Sequence, residues 1–257
     1  NGRRIEKGTS VRGGDQIDIL AQWKTPRWSV LPCAEMALDI LYEDASMIAV
    51  NKPAGVPSCA LSPEDDTALA CGIAARFPEC AAVGRNGDAG LVHRLDAETS
   101  GILIAARSTA ACDALRRQQE ADGIEKRYLA LVNGPYDGPR TLAFPLKESG
   151  PGARKVTVHP QGRPALTVVE QVRELTGGQS LLTVLIHRGV RHQIRAHLAH
   201  AGYPIAGDPL YGNPPLPGPG RLFLHACAIR LNHPVHRRTV ALECPLPDEL
   251  QRALLNG

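Results

Sequence analysis

The chain has 257 residues, of which 43% are hydrophobic and 21% charged, with a formal net charge of +3. That is ordinary globular composition, enough to bury a core without disulfide or metal staples, and it excludes disordered and collagen-like chains. No stretch approaches the roughly 18 apolar residues of a membrane span, and the opening NGRRIEKG shows no apolar leader, so neither membrane nor secretory signal is expected. Residues 1–150 carry 17 basic and 20 acidic residues, whereas residues 151–257 carry 12 basic and 6 acidic, which places the docking side for a polyanion in the second half. Arginine outnumbers lysine 23 to 6, a bias that suits phosphate recognition but also follows from a GC-rich genome. Seven cysteines, without any C-x-x-C, argue against a disulfide framework or zinc ribbon and point to a reducing cytoplasm. Aromatics at 4% are too few for a base-stacking sheet of the RRM or OB kind.

In chain order, residues 1–20 read as a small β piece around the turn Gly13-Gly14-Asp15, and residues 21–37, with two prolines and no period, as a linker. LDILYED and MIAVNKP form a predicted hairpin. Asp65 or Asp66 is expected to cap a helix with Leu69, Ile73 and Phe77 on one face and Pro78 as its stop. GILIAA (101–106) reads as a buried strand, Ser108 as the cap of a helix to about 121, and RYLALVNG as a strand. TLAFPL, ALTVVEQVREL and SLLTVLIHRG are β-like. Residues 191–202 have helical spacing with Gly202 as the stop, and this predicts Arg191 and Arg195 on one face at i, i+4. Residues 209–220 are a Pro/Gly loop, RLFLHACAIRL and TVALECPL are strands, and PDELQRALL is a closing helix with proline near N1. The sum is an α+β fold with many antiparallel strands, without the βαβα alternation of a Rossmann or TIM fold.

Two segments could carry chemistry. LVHRLDAETSGILIAA (91–106) packs His93, Arg94, Asp96, Glu98, Thr99 and Ser100 beside a buried strand, where charge is costly unless paired or used. It reads equally as a solvated turn with Asp96 or Thr99 capping locally. HRGVRHQIRAH (187–197) holds three arginines, three histidines and no acid, which suits either a solvated basic face or contacts to phosphate and to a carboxylate from elsewhere. His192, His197 and His200 lack the spacing of a zinc-protease helix, so no metal is expected. Ser100 is not in a G-x-S-x-G elbow, and no phosphate-binding glycine motif follows a strand.

HRLDAETSG (93–101) resembles the H-R-L-D-x-x-T-S-G motif of the RluA-type RNA pseudouridine synthases. VNKPAGVPS (50–58), KRYLALV (126–132), GVRHQIRAHLAHAGYPIAGDPLYG (189–212) and RLFLHA (221–226) stand around it in the family's order. Residues 1–22 resemble the C-terminal part of an S4 RNA-binding domain, 23–37 become the linker, and 38–257 the catalytic domain. The resemblance implies a mixed, largely antiparallel sheet with flanking helices and a central RNA-binding cleft. It implies isomerisation of uridines in rRNA or tRNA loops to pseudouridine, with no cofactor, by a cytoplasmic protein expected to be a monomer. Asp96 matches the catalytic carboxylate and Arg195 its ion-pair partner. Tyr128 matches the catalytic tyrosine that stacks on the target base and can take the C5 proton. Leu224 matches an apolar residue against that base, and Arg94 the arginine that fills the space left by the flipped nucleotide. His93 and Arg191 join the substrate-contacting set. The chain departs from the frequent G-R-T-H-Q-I-R, with Val190 where arginine is common and Arg191 following. Two rival functions are a catalytically silent RNA-binding or chaperone protein on the same fold, and a glycosidase pairing Asp96 with Glu98.

Overall fold

The computed structural model describes residues 10, 12–16, 28–148, 155–212 and 220–255. Most of the expected S4-like segment and residues 23–27 of the expected linker lie outside the described residues; in the turn at 12–15 the Asp15 N–H donates to the Arg12 carbonyl at 3.1 Å, and residues 28–37 form no strand or helix.

Strands β1 (Asp39–Glu43) and β2 (Met47–Lys52) form the predicted hairpin. Asp44 shapes its turn by accepting from the backbone N–H groups of Ser46 and Met47 at 2.7 and 2.9 Å. Helix α1 (Leu69–Arg76) begins later than its supposed acidic cap: Ala68 is the N-cap, and no side chain caps it. Asp65 instead accepts from the N–H groups of Leu61 and Thr67. A local Asx turn outcompetes capping here. Pro78 opens a single 3-10 turn, Pro78–Ala82.

Strand β3 (Ser100–Ala106) is buried along its whole length. Alternate residues serve two cores, which explains an apolar run without a polar face. Leu103 and Ala105 join β2's Ile48 and Val50 and helix α1 on one side. Ile102 and Ile104 join Met47 and Ala49 on the other, against helix α2 (Thr109–Glu120), whose Ala111 and Leu115 point inward as their spacing predicts. Ser108 caps α2 by accepting from the Ala111 N–H at 3.2 Å.

Strand β4 (Glu125–Val132) follows. TLAFPL is not one strand: β5 (Thr141–Leu142) ends before Pro145, and β6 (Leu146–Glu148) pairs with β7 (Val156–Val158) in a separate ribbon. A proline without an N–H cannot continue a ladder. Strands β8 (Thr167–Glu174) and β9 (Ser180–Ile186), helix α3 (Gln193–His200), strands β10 (Leu224–Asn232) and β11 (Thr239–Glu243), and helix α4 (Asp248–Leu255) complete the chain.

Nine strands form one sheet in the order β1-β2-β3-β10-β4-β9-β8-β5, with β11 paired to β10. Among the described residues only β3 and β10 run parallel, at Ser100–His225 and Gly101–Ala226. That junction needs Gly101: its φ is 116°, and a Cβ there would run into the Ala226 carbonyl oxygen. The close approach brings the segment before β3 alongside β10 and β4.

Candidate active site

Asp96 sits in the loop before β3, and the 50–58 segment builds the bed beneath it. The Lys52 ammonium, fully buried, donates to the carbonyls of Pro53, Val56 and Ala97 at 2.7, 2.7 and 2.8 Å. Ser58 Oγ donates to the Leu95 carbonyl and accepts from the Leu95 N–H, at 2.8 and 3.1 Å. The Gly55 N–H donates to the Ala97 carbonyl at 2.8 Å. The residues flanking Asp96 are thus pinned by their backbone, which leaves the carboxylate free to face a cleft of about 800 Å³.

Arg195 projects from the first turn of α3 into the same cleft and is 2% exposed. Its Nη1 donates to Asp96 Oδ2 at 3.1 Å, as the sequence predicts. The planar fork itself goes elsewhere: Nε and Nη2 donate to the two carboxylate oxygens of Asp208, both at 2.8 Å. Asp208 is fully buried, and its Oδ1 also accepts from the N–H groups of Leu210 and Tyr211. Burial works against charge on both partners, but these bonds outweigh it, holding Asp208 below the usual carboxylate range and Arg195 above its ordinary value. The Tyr211 ring lies 5.3 Å from the guanidinium carbon. Arg195 is therefore locked by Asp208 and Tyr211, and one remaining N–H reaches Asp96.

Arg191 does not share a helical face with Arg195. His192, in the left-handed region at φ 55°, precedes α3 and ends the regular spacing. Arg191 stays exposed on the cleft wall, 3.7 Å from Glu148, while Val190 packs against Leu146, Val156 and Ala196. The His192 ring lies 3.8 Å from Asp96 Oδ2 and hydrogen-bonds the Tyr211 hydroxyl at 3.1 Å. Burial lowers its pKa. His197 is fixed separately, between the Thr167 hydroxyl and the Phe144 carbonyl at 2.9 and 2.8 Å.

Tyr128 and Leu224 form an apolar wall of the cleft. Tyr128 on β4 pairs with Ala226 on β10, and Leu224 with Ala130, so both side chains leave the same sheet face. Tyr128 is 5% exposed; burial, then the charge of Asp96, raises its pKa well above the ordinary value. A phenol held this firmly in its neutral form suits stacking on a base better than taking a proton. Arg94 is exposed at the cleft wall. His93 also borders the cleft, but at 8% exposure its Nε2 accepts from the Ile104 N–H at 3.3 Å, and burial, then the charge of Lys126, lowers its pKa to about 3. Glu98 does not line the cleft, and Arg221 holds its carbonyl at 3.2 Å, so it supplies no second carboxylate facing Asp96.

Asp208 is the functional residue that residue-by-residue reading missed. GDPLYG looks like a turn, and a carboxylate 13 positions from Arg195 announces no partnership. Its signal is indirect: it is the one acid in residues 189–212, the segment that also holds Arg195.

A carboxylate held by a fixed guanidinium beside an apolar wall suits an enzyme that acts on a planar group brought into the cleft. Residues 46–200 match the family model described as RNA pseudouridylate synthase. The chain belongs to that family, and it is an isomerase acting on uridine in RNA. It is 34% identical over 255 residues to ribosomal large subunit pseudouridine synthase D of Neisseria meningitidis serogroup A, covering 94% of this chain and 67% of that protein. It is 32% identical over 267 residues to the protein of the same description from Xanthomonas campestris pv. campestris, covering 99% of this chain and 79% of that one. The solved structure of human RNA pseudouridylate synthase domain containing 1 matches with TM-score 0.61 and 28% identity, over 82% of this chain and 84% of that chain.

Proposed function

We propose that the chain converts uridines of large-subunit ribosomal RNA to pseudouridine, with Asp96 as the reacting carboxylate. The observation that carries this reading is the geometry of Asp96: flanked by pinned backbone and held by one N–H of a locked, buried arginine, facing a cleft beside Tyr128 and Leu224. The choice of RNA rests on the relatives described as ribosomal large subunit enzymes.

In this reading the RNA extrudes the target uridine, at a cost that is least in a loop or bulge. The uracil stacks on Tyr128 against Leu224, and Arg94 fills the vacated space. Asp96 acts at C1′ as nucleophile or base while the N1–C1′ bond breaks. The uracil turns and C5 bonds to C1′, breaking any bond Asp96 has formed there; the C5 proton passes to water and N1 takes one from water, so atoms and charge balance with no redox change. Arg195 holds Asp96 in one rotamer throughout, and Arg191 contacts phosphate. The seven cysteines are all free thiols, which supports a reducing compartment and hence the cytoplasm. A monomer is proposed.

The test is incubation of purified protein with unmodified large-subunit ribosomal RNA, followed by nucleoside analysis. Pseudouridine at discrete positions supports the reading. RNA that binds but keeps all its uridines favours a silent binding protein, and release of free uracil favours a glycosidase.

A further inference from the structure

Lys126 has no part in the chemistry above, yet it borders the same cleft. It stands two residues before Tyr128 on β4, so the two side chains leave one face of the strand. It is 3% exposed. Among the described residues no carboxylate or carbonyl takes its ammonium; the nearest charge acting on it is Asp122, itself held by Arg188 at 2.7 Å. Burial consequently lowers its pKa to about 8.

His93 lies close enough for that charge to bear on its ring. Its Nε2 accepts from Ile104, so the neutral ring carries its hydrogen on Nδ1, and that atom is buried without a partner. Gln119, at the end of α2, adds a buried Oε1 without a partner, and a flip of its amide exchanges acceptor for donor. All three residues line the cleft. Buried polar groups are ordinarily satisfied, and a buried cation is ordinarily paired. Here the cation lines the cleft without an acceptor, and the neighbouring His93 N–H, closed to solvent, has none either.

We propose that this part of the cleft is a subsite for one backbone phosphate of the RNA, distinct from the pocket for the target uracil, with Lys126 Nζ donating to its oxygens. The inference rests on the reading of the cleft as an RNA site and adds a second anchoring point to it. A phosphate fits because it brings negative charge and acceptors only, which is what an unpaired ammonium lacks. A base edge brings no charge to meet the lysine. The exposed Arg94 on the cleft wall adds positive potential, whereas Arg116 is already held by Asp88 at 2.9 Å. The phosphate contact fixes the register of the strand, and Asp96 acts on the nucleotide that this register presents.

The test uses wild type and Lys126→Met with a stem–loop RNA carrying one loop uridine. Affinity is measured against salt, and the conversion of fully bound RNA is timed separately. Lys126→Met removes an unpaired buried charge at similar volume, so its thermal stability should equal or exceed that of wild type. The expected result is about tenfold weaker binding, a log–log salt slope smaller by roughly 0.7 to 0.9, and unchanged conversion of bound RNA. RNAs with a single neutral methylphosphonate linkage supply a second arm. One linkage should weaken wild type about tenfold and leave Lys126→Met unaffected. Equal affinities and slopes, or linkage effects that simply add in both proteins, overturn the subsite. So does normal affinity with slow conversion of bound RNA, which makes Lys126 a contact of the uracil. If wild type shows the linkage coupling but converts no uridine, the subsite stands and the catalytic reading falls.

Discussion

Replacing Arg195 by lysine keeps the charge and removes the geometry. The guanidinium spans two carboxylates: 2.8 Å to each oxygen of Asp208 and 3.1 Å to Asp96. An ammonium is a point donor and cannot make this three-way contact. At least two charge-assisted hydrogen bonds are lost, each worth roughly 1.5–3 kcal/mol, and the lysine recovers part. A net loss of about 3 kcal/mol is expected, which lowers Tm by roughly 6–12 °C for a chain of this size. Asp96 then loses its fixed partner, and misplacement by about 1 Å costs on the order of 100-fold in rate. RNA affinity should stay within about threefold, because the number of cations in the cleft is unchanged. Thermal unfolding, single-turnover pseudouridine formation and RNA anisotropy read the three quantities independently. If Arg195→Lys loses RNA binding while bound RNA reacts at the normal rate, Arg195 is a phosphate contact and the positioning argument is wrong. An unchanged Tm refutes the structural role assigned to the Asp208 fork.

Asp208→Asn should lower stability by about 3 kcal/mol, since it leaves a buried guanidinium short of its compensating charge; denaturant midpoints check this, and a neutral effect contradicts the buried pair. Stability should fall with acid well before the carboxylates titrate. The His93 pKa is about 3 in the fold against 6.5 for the free side chain, so between those values the unfolded chain binds a proton that the fold does not. The stabilisation is complete above pH 6.5 and lost as pH falls below it, about 2 kcal/mol at pH 5 from this residue. His197 and His225, also lowered by burial, add in the same direction. His93→Gln should flatten the stability–pH slope between pH 5 and 7. Arg191→Ala should reduce the salt slope of RNA binding by roughly 0.7, whereas Arg237→Ala should not, because Arg191 borders the cleft and Arg237 does not. Activity should survive EDTA; loss on chelation with rescue by zinc would show that a histidine does hold metal.

Local physics made much of the fold readable. Ser108 caps α2, Asp44 closes the hairpin, and Gly202 follows α3 with φ 92°, each because one side chain or one missing Cβ decides the local conformation. The misreadings arise where two local options compete or where partners are remote. Asp65 could cap a helix or close an Asx turn, and it does the latter. TLAFPL is apolar enough for a strand, but Pro145 divides it between two sheets. Arg191 and Arg195 have helical spacing, yet the left-handed His192 separates them. At the site, Asp96, Arg195, Tyr128 and Leu224 converge as the motif pattern implies. The direction of the Arg195 fork could not be read, because Asp96 and Asp208 are both acids and only the folded chain decides which takes two bonds. Lys126 was equally silent, since burial of a lysine beside an unpaired imidazole is a property of packing.

The central claim is tested most directly by mapping pseudouridines in the ribosomal RNA of cells that lack this protein, then complementing them with wild type or Asp96→Asn. The account predicts discrete sites that vanish with the protein, return with wild type, and stay absent with an Asp96→Asn protein that folds and binds RNA as wild type does. Sites restored by Asp96→Asn to even a tenth of the wild-type level would contradict it.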